Sequence, residues 1–421
     1  MKADDHPSRR VAITGLGVIT ALGSWIPEFW DHLLAGHSGI RRITQFDPAG
    51  LPCQIAGEIP AFDATDFISV KEARRMSRAS QVALGAAHRA LADSGLPSPF
   101  ADPERVGVSF GTAIGGLERV EEGIRMLRTQ GLAKVSPFAI PSGIPNMPAF
   151  YISSVFGAVG PSLTITTACA TGTQAVGEGT ELIRSGRADI VVAGGAEALI
   201  EDYALAGFAA MRALPTSYND DPTRASRPFD ARREGFVFSE GAASLILERL
   251  DLALARGAHI YAEVAGHASS GDGFHVAAPD PSAAGPIRTM RWALQDAGLA
   301  PGDVNYINAH GTSTPANDAV ETLAIKALFG DAAFRIPVSS TKSMIGHAMG
   351  ASGAIEAVVC ALTIEHDMIH PTINYEFPDP ECDLDYVPNE PRPAAVKVAL
   401  SNSFGLGGQN ACLVLKQVEA E

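Results

Sequence analysis

Apolar, β-branched runs that stop at small or glycine-rich turns alternate along this chain with stretches of helical apolar spacing. In the sharpest case, Leu163-Thr164-Ile165-Thr166-Thr167 halts at Ala168-Cys169-Ala170. An amphipathic segment then runs through Ile183 to a Ser185-Gly186 stop. A short apolar run bounded by a turn predicts a buried strand, and the 3.6-residue period after it predicts a helix. With a second strand over 188–195, residues 160–195 form a strand–turn–helix–strand unit whose short links favour a parallel sheet.

The same pattern recurs elsewhere. Strands are predicted within 10–23, 106–111, 241–248, 260–266, 304–308 and 338–340, and a closing hairpin pairs 396–401 with 411–416 around the turn 402–408. Helices are predicted over 25–35, 70–94, 251–257, 286–298, 318–329 and 353–364. Residues 40–60 read as an irregular excursion and 212–238 as a turn-rich segment. The pattern restarts near Gly257, which predicts an α/β chain in two halves of similar style, 1–257 and 258–421.

Composition narrows the class. Of 421 residues, 46% are hydrophobic and 19% charged, as in a folded globular chain and unlike a disordered one. The net charge of −15 disfavours general nucleic-acid binding, but it leaves room for an acidic partner that docks on a local basic patch. No apolar run reaches the roughly 18 residues a membrane span needs, and the first ten residues lack an apolar signal core. The five cysteines are scattered, with no CxxC or Cys/His ligand spacing, so neither zinc nor a disulfide framework is expected. Reduced thiols in a cytoplasmic protein are the simplest expectation. The glycine-rich opening GLGVIT departs from GxGxxG, and no acidic residue closes a second strand, so a dinucleotide site is not expected.

Candidate chemistry collects where strands end in polar, small-residue turns, since ligands in α/β sheets gather at the carboxyl ends of strands. Cys169 sits at a helix start, where free backbone N–H groups and the helix dipole favour a thiolate nucleophile; a buried structural thiol is the alternative. His310 follows Tyr306-Ile307-Asn308-Ala309, His347 follows Thr341-Lys342-Ser343-Met344-Ile345-Gly346, and Phe404 lies in a fourth such turn. A cysteine with two histidines suits thioester chemistry: the thiol carries an acyl group, and neutral imidazoles act as bases or donate Nε2–H bonds to a developing oxyanion. A Cys/His protease has no use for a second histidine beside a lysine.

Seven motifs in this order are specific. They are RVAITGLGVITALG at the start, TACATG around Cys169, VVAGGAEA, SRPFDARREGFVFSEGAA, NAHGTSTPANDAVE around His310, SSTKSMIGHAMGASGAIEAV around Lys342 and His347, and NSFGLGGQNA around Phe404. On these the chain resembles the β-ketoacyl-[acyl-carrier-protein] synthases, on the side of the type II enzymes that elongate fatty acyl chains, over about residues 10–416. The resemblance implies a thiolase-type fold, two fused βαβ-style halves in an α/β/α/β/α sandwich, and a homodimer without metal or cofactor. It implies that Cys169 takes the acyl chain from an acyl-carrier protein and that His310 and His347 assist decarboxylation of malonyl-carrier protein. The backbone N–H groups of Cys169 and Phe404 would form an oxyanion hole. Lys342 would support the site through a charge network with Glu356. Thr312 and Thr314 would bind the phosphopantetheine arm, Phe404 would gate, and Ile114 would line the acyl pocket. Lys71, Arg74, Arg75, Lys134 and Arg212 would dock the acidic carrier protein; the alternative is a solvated basic surface.

Three positions depart from the family pattern: Leu406 and Gln409 in GLGGQN, and Asn317 in TPANDAVE. Thiolases are disfavoured because Cys412 lies in NACLVL and His347 in GHAMG. The third-place His347 also disfavours synthase III enzymes, which use asparagine there, and Cys169 disfavours a chain-length factor. A condensing enzyme of a polyketide or polyene pathway remains as a second reading, and a subunit that only decarboxylates malonyl-carrier protein as a third.

Overall fold

The computed structural model describes residues 9–418. Most of the first ten residues, in which no apolar signal core is expected, lie outside the described residues, as do the outermost ends of the two halves.

The first strand, β1 (Val11–Ile19), is buried along its whole length. Its glycines serve packing. A Cβ on Gly17 would lie 2.1 Å from the Ala86 carbonyl oxygen of helix α1 (Arg78–Ser94), so glycine is what lets that helix lie against the strand. The main elements that follow are β2 (Val106–Gly111), α2 (Met147–Phe156), β3 (Ser162–Ile165), α3 (Thr171–Arg184), β4 (Ile190–Glu197) and β5 (Gly241–Arg249). The chain continues with β6 (Ala262–Gly271), α4 (Ala284–Asp296), β7 (Tyr306–Asn308), α5 (Pro315–Phe329), β8 (Val338–Ser339), α6 (Ser352–His366), β9 (Val398–Gly405) and β10 (Gln409–Lys416).

Ten strands hydrogen-bond in the order β8-β7-β9-β10-β6-β1-β5-β4-β2-β3. Numbered within each five-strand set, both halves of this sheet read 3-2-4-5-1, with the same pattern of parallel and antiparallel neighbours. They meet where β1 runs beside β6, Ala12 opposite Glu263. Helices α3 and α6 pack on each other and on strands of both sets, forming the middle layer. Helices α1 and α2 cover one outer face, and α4 with α5 the other. The result is the five-layered α/β/α/β/α sandwich. Helix α6 is buried from Ser352 to Ile364, so a charge on it such as Glu356 must find a partner inside the protein.

Several local expectations change. Residues 70–94 form two helices because Ser77 adopts an extended conformation and caps the second, its hydroxyl accepting from the Ser80 N–H. The strand before Cys169 is a partly exposed edge strand. The closing hairpin extends further than its hydrophobic run: β9 pairs through Gly405, opposite Gln409, and only residues 406–408 form the turn. Helices over Leu117–Gln130, Met147–Phe156 and Asp202–Ala210 carried no predicted element.

Candidate active site

Cys169 lies on a single tight turn, Ala168–Ala170, between β3 and α3. Ala168 holds a positive φ of 50°, a conformation that costs a non-glycine residue about 1–3 kcal/mol and that collects at functional turns. Thr171 steadies the turn by accepting the Thr167 N–H through its hydroxyl at 2.8 Å. The expected thiolate does not follow. Cys169 is only 5% exposed, and burial pushes its pKa up to about 11, although the Leu406 backbone bond and the Lys342 charge pull the other way. A helix start lowers a thiol's pKa only where water or charge replaces what burial removes.

His310 follows β7 in a turn shaped by positive φ at Gly311 and Ser313. Both oxygens of the buried Glu321, nearly two turns into α5, accept backbone N–H groups at 2.8 Å, from His310 and Gly311. Burial pushes the Glu321 carboxyl up to about 7. Thr314 caps α5, and its hydroxyl lies 2.9 Å from that of Thr312. His347 sits between the short helix Lys342–Ile345 and α6. Its N–H donates to the Val237 carbonyl at 2.7 Å, and its Nδ1 lies 2.9 Å from the Ser352 hydroxyl.

Folding brings the three side chains together. Sγ of Cys169 and one ring nitrogen from each histidine all lie within 4.8 Å of one another. The two imidazoles stand edge to face, centroids 5.5 Å apart, and the Phe404 ring lies 5.7 Å from His310. Burial first, and the Lys342 charge second, hold both histidines well below their usual pKa, so both are neutral at pH 7. In each ring one buried nitrogen has no protein partner: Nε2 of His347, as expected, but Nδ1 of His310. Partnerless buried nitrogens in a cavity wall suit a transient charge on a bound group.

Lys342 and Glu356 form an ion pair, 1% and 0% exposed, beside the cluster. Even so, burial lifts the Glu356 carboxyl to about 7. The strand end of β9 closes the site. Gly405 lies so close that a Cβ there would be 2.8 Å from the Thr167 carbonyl oxygen and 3.1 Å from the Cys169 nitrogen.

Cys169, His310, His347, Thr312, Thr314 and Phe404 line one cavity of about 460 Å³, which Arg212 and Asn317 also border. Ile114 is not in that lining; it packs, partly buried, against the apolar cluster that includes Cys169. Lys71, Arg74, Lys134 and Arg212 are exposed, whereas Arg75 is partly buried with its guanidinium 4.8 Å from the Phe138 ring centroid. The sequence search passed over Glu321, Ser352 and Glu197. Glu197 is fully buried behind the nucleophile and accepts from the Thr112 hydroxyl and the Ala113 and Gly350 N–H groups. The signals were present, a carboxylate inside each of two motifs, but a carboxylate reads as surface until burial is known.

The Cys169–His310–His347 donor set could hold a soft divalent ion by geometry, a juxtaposition that sequence spacing hides. The Lys342 charge acting on both histidines opposes a cation there. A second cluster, Glu181, His267 and Asp296, already holds the Arg184 guanidinium between its carboxylates.

Comparison with known proteins agrees with this geometry. Residues 8–253 match the beta-ketoacyl synthase N-terminal domain and 261–376 the C-terminal domain. A 3-oxoacyl-[acyl-carrier-protein] synthase 2 from Synechocystis is 48% identical over 98% of this chain and 99% of the relative. One from Coxiella burnetii is 47% identical over 97% and 99%. Among solved structures, a beta-ketoacyl synthase from Burkholderia phymatum superposes with a TM-score of 0.92 at 37% identity, covering 98% of this chain and 100% of that one. A ketosynthase of a type II polyketide system, in complex with its acyl-carrier protein, superposes with a TM-score of 0.91, also at 37% identity and the same coverage. The chain belongs to the beta-ketoacyl synthase family.

Proposed function

We propose that this protein is a 3-oxoacyl-[acyl-carrier-protein] synthase of the type II, chain-elongating class. The observation that carries the reading is the convergence of one thiol and two neutral imidazoles within 4.8 Å in one cavity. Cys169 sulfur attacks the acyl-carrier-protein thioester and becomes acylated. The acyl–carrier C–S bond breaks and the thiol proton ends on the departing carrier sulfur, releasing the carrier thiol, with the N–H groups of Cys169 and Phe404 holding the tetrahedral oxyanion. The phosphopantetheine arm passes Thr312 and Thr314. Malonyl-carrier protein then loses CO2, and the electron pair of the broken C–C bond moves onto the thioester oxygen. N–H groups of neutral His310 and His347 stabilise that charge; removing one such donor typically costs about 2.7–4 kcal/mol of barrier. The carbanion attacks the Cys169 thioester, the C–C bond forms as the C–S bond to Cys169 breaks, and the Cys169 thiolate takes a proton from solvent as 3-oxoacyl-carrier protein departs.

Lys342, paired with Glu356, supplies a fixed positive charge and stays outside the proton transfers. Phe404 gates access, and Ile114 bounds the acyl chain from behind the apolar cluster. Lys71, Arg74, Arg75, Lys134 and Arg212 receive the acidic carrier protein. The halves 1–257 and 258–421 divide the labour, the first carrying the nucleophile and the second both histidines and the gate. The protein works in the cytoplasm as a homodimer. Support for the dimer comes from β3, an edge strand with one side unpaired, and from the adjoining α2, which exposes Phe150 and Val155.

Leu406 and Gln409 at the gate, and the likeness to polyketide ketosynthases at 37% identity, keep repeated condensation in a specialised pathway as the second reading. A turnover assay with malonyl-carrier protein and an acyl series distinguishes them. One two-carbon extension per cycle is expected, with acyl-Cys169 detected by intact mass and lost in Cys169→Ala. Iterated poly-β-keto products would favour the second reading, and CO2 without condensation would sink both.

A further inference from the structure

His370 lies far from the cavity in sequence and does not line it, yet it closes a ring of hydrogen bonds under the catalytic turns. Its Nδ1 is 2.9 Å from the Pro371 carbonyl oxygen, an acceptor only, so Nδ1 carries the proton and Nε2 presents a lone pair. The hydroxyls of Thr341 (3.0 Å) and Ser339 (3.3 Å) face that lone pair as donors. Thr341 oxygen in turn accepts one Asn308 Nδ2–H at 3.0 Å, and Tyr306 oxygen accepts the other at 3.0 Å. The Tyr306 hydroxyl then donates to Ser339 at 2.8 Å. Every member is fully buried, and the Asn308 Oδ1 is the one polar atom of the ring left without a protein partner. Burial keeps the imidazole neutral, its pKa pushed down to about 4.

The ring spans two strand ends. Asn308 is two residues before His310, and Thr341 is the residue before Lys342. The same segment reaches them again through Thr372, whose hydroxyl accepts the Ser340 N–H at 3.0 Å, while the Ser340 hydroxyl donates to the Gly311 carbonyl at 2.7 Å. We propose that His370 is a positioning residue for the malonyl half-reaction: its Nε2 lone pair fixes the spacing between the turn carrying His310 and the turn carrying Lys342 and His347. This rests on the condensing activity proposed above. Cys169 stands on the other set of strands, and its proposed acylation uses the Phe404 N–H of β9 but neither His310 nor His347, so it is separable from the spacing this ring sets.

The test compares the two half-reactions in the full-length protein, acylation of Cys169 from acyl-carrier protein and CO2 release from malonyl-carrier protein. His370→Leu removes the lone pair and is expected to slow CO2 release about tenfold or more, the scale of small misplacements at a reacting centre, with acylation within twofold of wild type. His370→Gln, which can return an acceptor oxygen, is expected to recover most of that loss. Thr341→Val removes the donor facing Nε2 and is expected to give the same split, which keeps the test open should His370→Leu not fold. Equal loss in both half-reactions, loss in neither, or no recovery with glutamine overturns the positioning role. Absence of CO2 release in the wild type overturns the activity and this inference with it, and is distinguished because no variant is needed to see it.

Discussion

Glu197, Glu321 and Glu356 are buried carboxyls whose desolvation raises each pKa to about 7. A raised folded pKa means the folded state holds the proton more tightly than the unfolded chain. The stability each contributes is present below the ordinary carboxyl range and is lost as pH climbs toward about 7. His310, His347 and His370 act in the opposite sense: their lowered values give stability above the usual histidine range that is lost on acidification. Glu197 gives a clean test. Glu197→Gln removes a titration and keeps a buried acceptor, so its stability relative to wild type is expected to improve as pH rises from 5 to 8, by roughly 2–3 kcal/mol. Urea unfolding at both pH values measures this; a pH-independent difference would mean that Glu197 ionises as it does in water. At this scale the candidate groups that the fold brings together, Cys169, His310 and His347, were legible from the turns that hold them. Their protonation states were not, because desolvation sums over neighbours from segments hundreds of residues apart.

At the scale of elements, close backbone approach sets the site. Strand β9 reaches the nucleophile turn only because residue 405 has no side chain. Gly405→Ala is expected to slow Cys169 acylation on the order of 10–100-fold while far-UV circular dichroism stays unchanged. An unaltered rate in stopped-flow acylation would show that the turn 406–408 absorbs the methyl group. Element order and most boundaries follow from hydrophobic period and turn chemistry, as with the strand–turn–helix around Cys169. The misses have local causes. Ser77 is a cap hidden inside a helical period. The strand β9 continues past its hydrophobic run into Asn402-Ser403-Phe404-Gly405, since backbone pairing with β10 outlasts the apolar pattern. The helix Leu117–Gln130 carries an apolar stripe at helical spacing, Leu117, Val120, Ile124 and Leu127, that no predicted element covers; within the chain Leu117, Ile124 and Leu127 stay exposed and only Gly123 is buried.

At the scale of the molecule, two five-strand sets of one topology enclose the helices α3 and α6, and the site lies where both sets contribute turns. In a chain of net charge −15, the docking of an acidic carrier proposed above needs local basic residues. The double variant Lys71→Glu, Arg74→Glu is expected to raise KM for acyl-carrier protein about tenfold, mainly through the association rate. Turnover of a short carrier-free acyl thioester is expected to change less than twofold. An unchanged KM at low ionic strength would place docking elsewhere.

By itself the sequence determined the α/β class, the turn that carries Cys169, and the family through motifs whose order leaves few alternatives. These are local properties, set by residues next to one another in the chain. The tertiary structure alone decided that burial pushes the Cys169 thiol pKa up, that Glu321 and Glu197 are buried acceptors, that Ile114 stands back from the cavity, and that His370 hydrogen-bonds beneath the turns of His310 and Lys342. Each depends on burial and on contacts between distant segments, which a linear pattern does not contain.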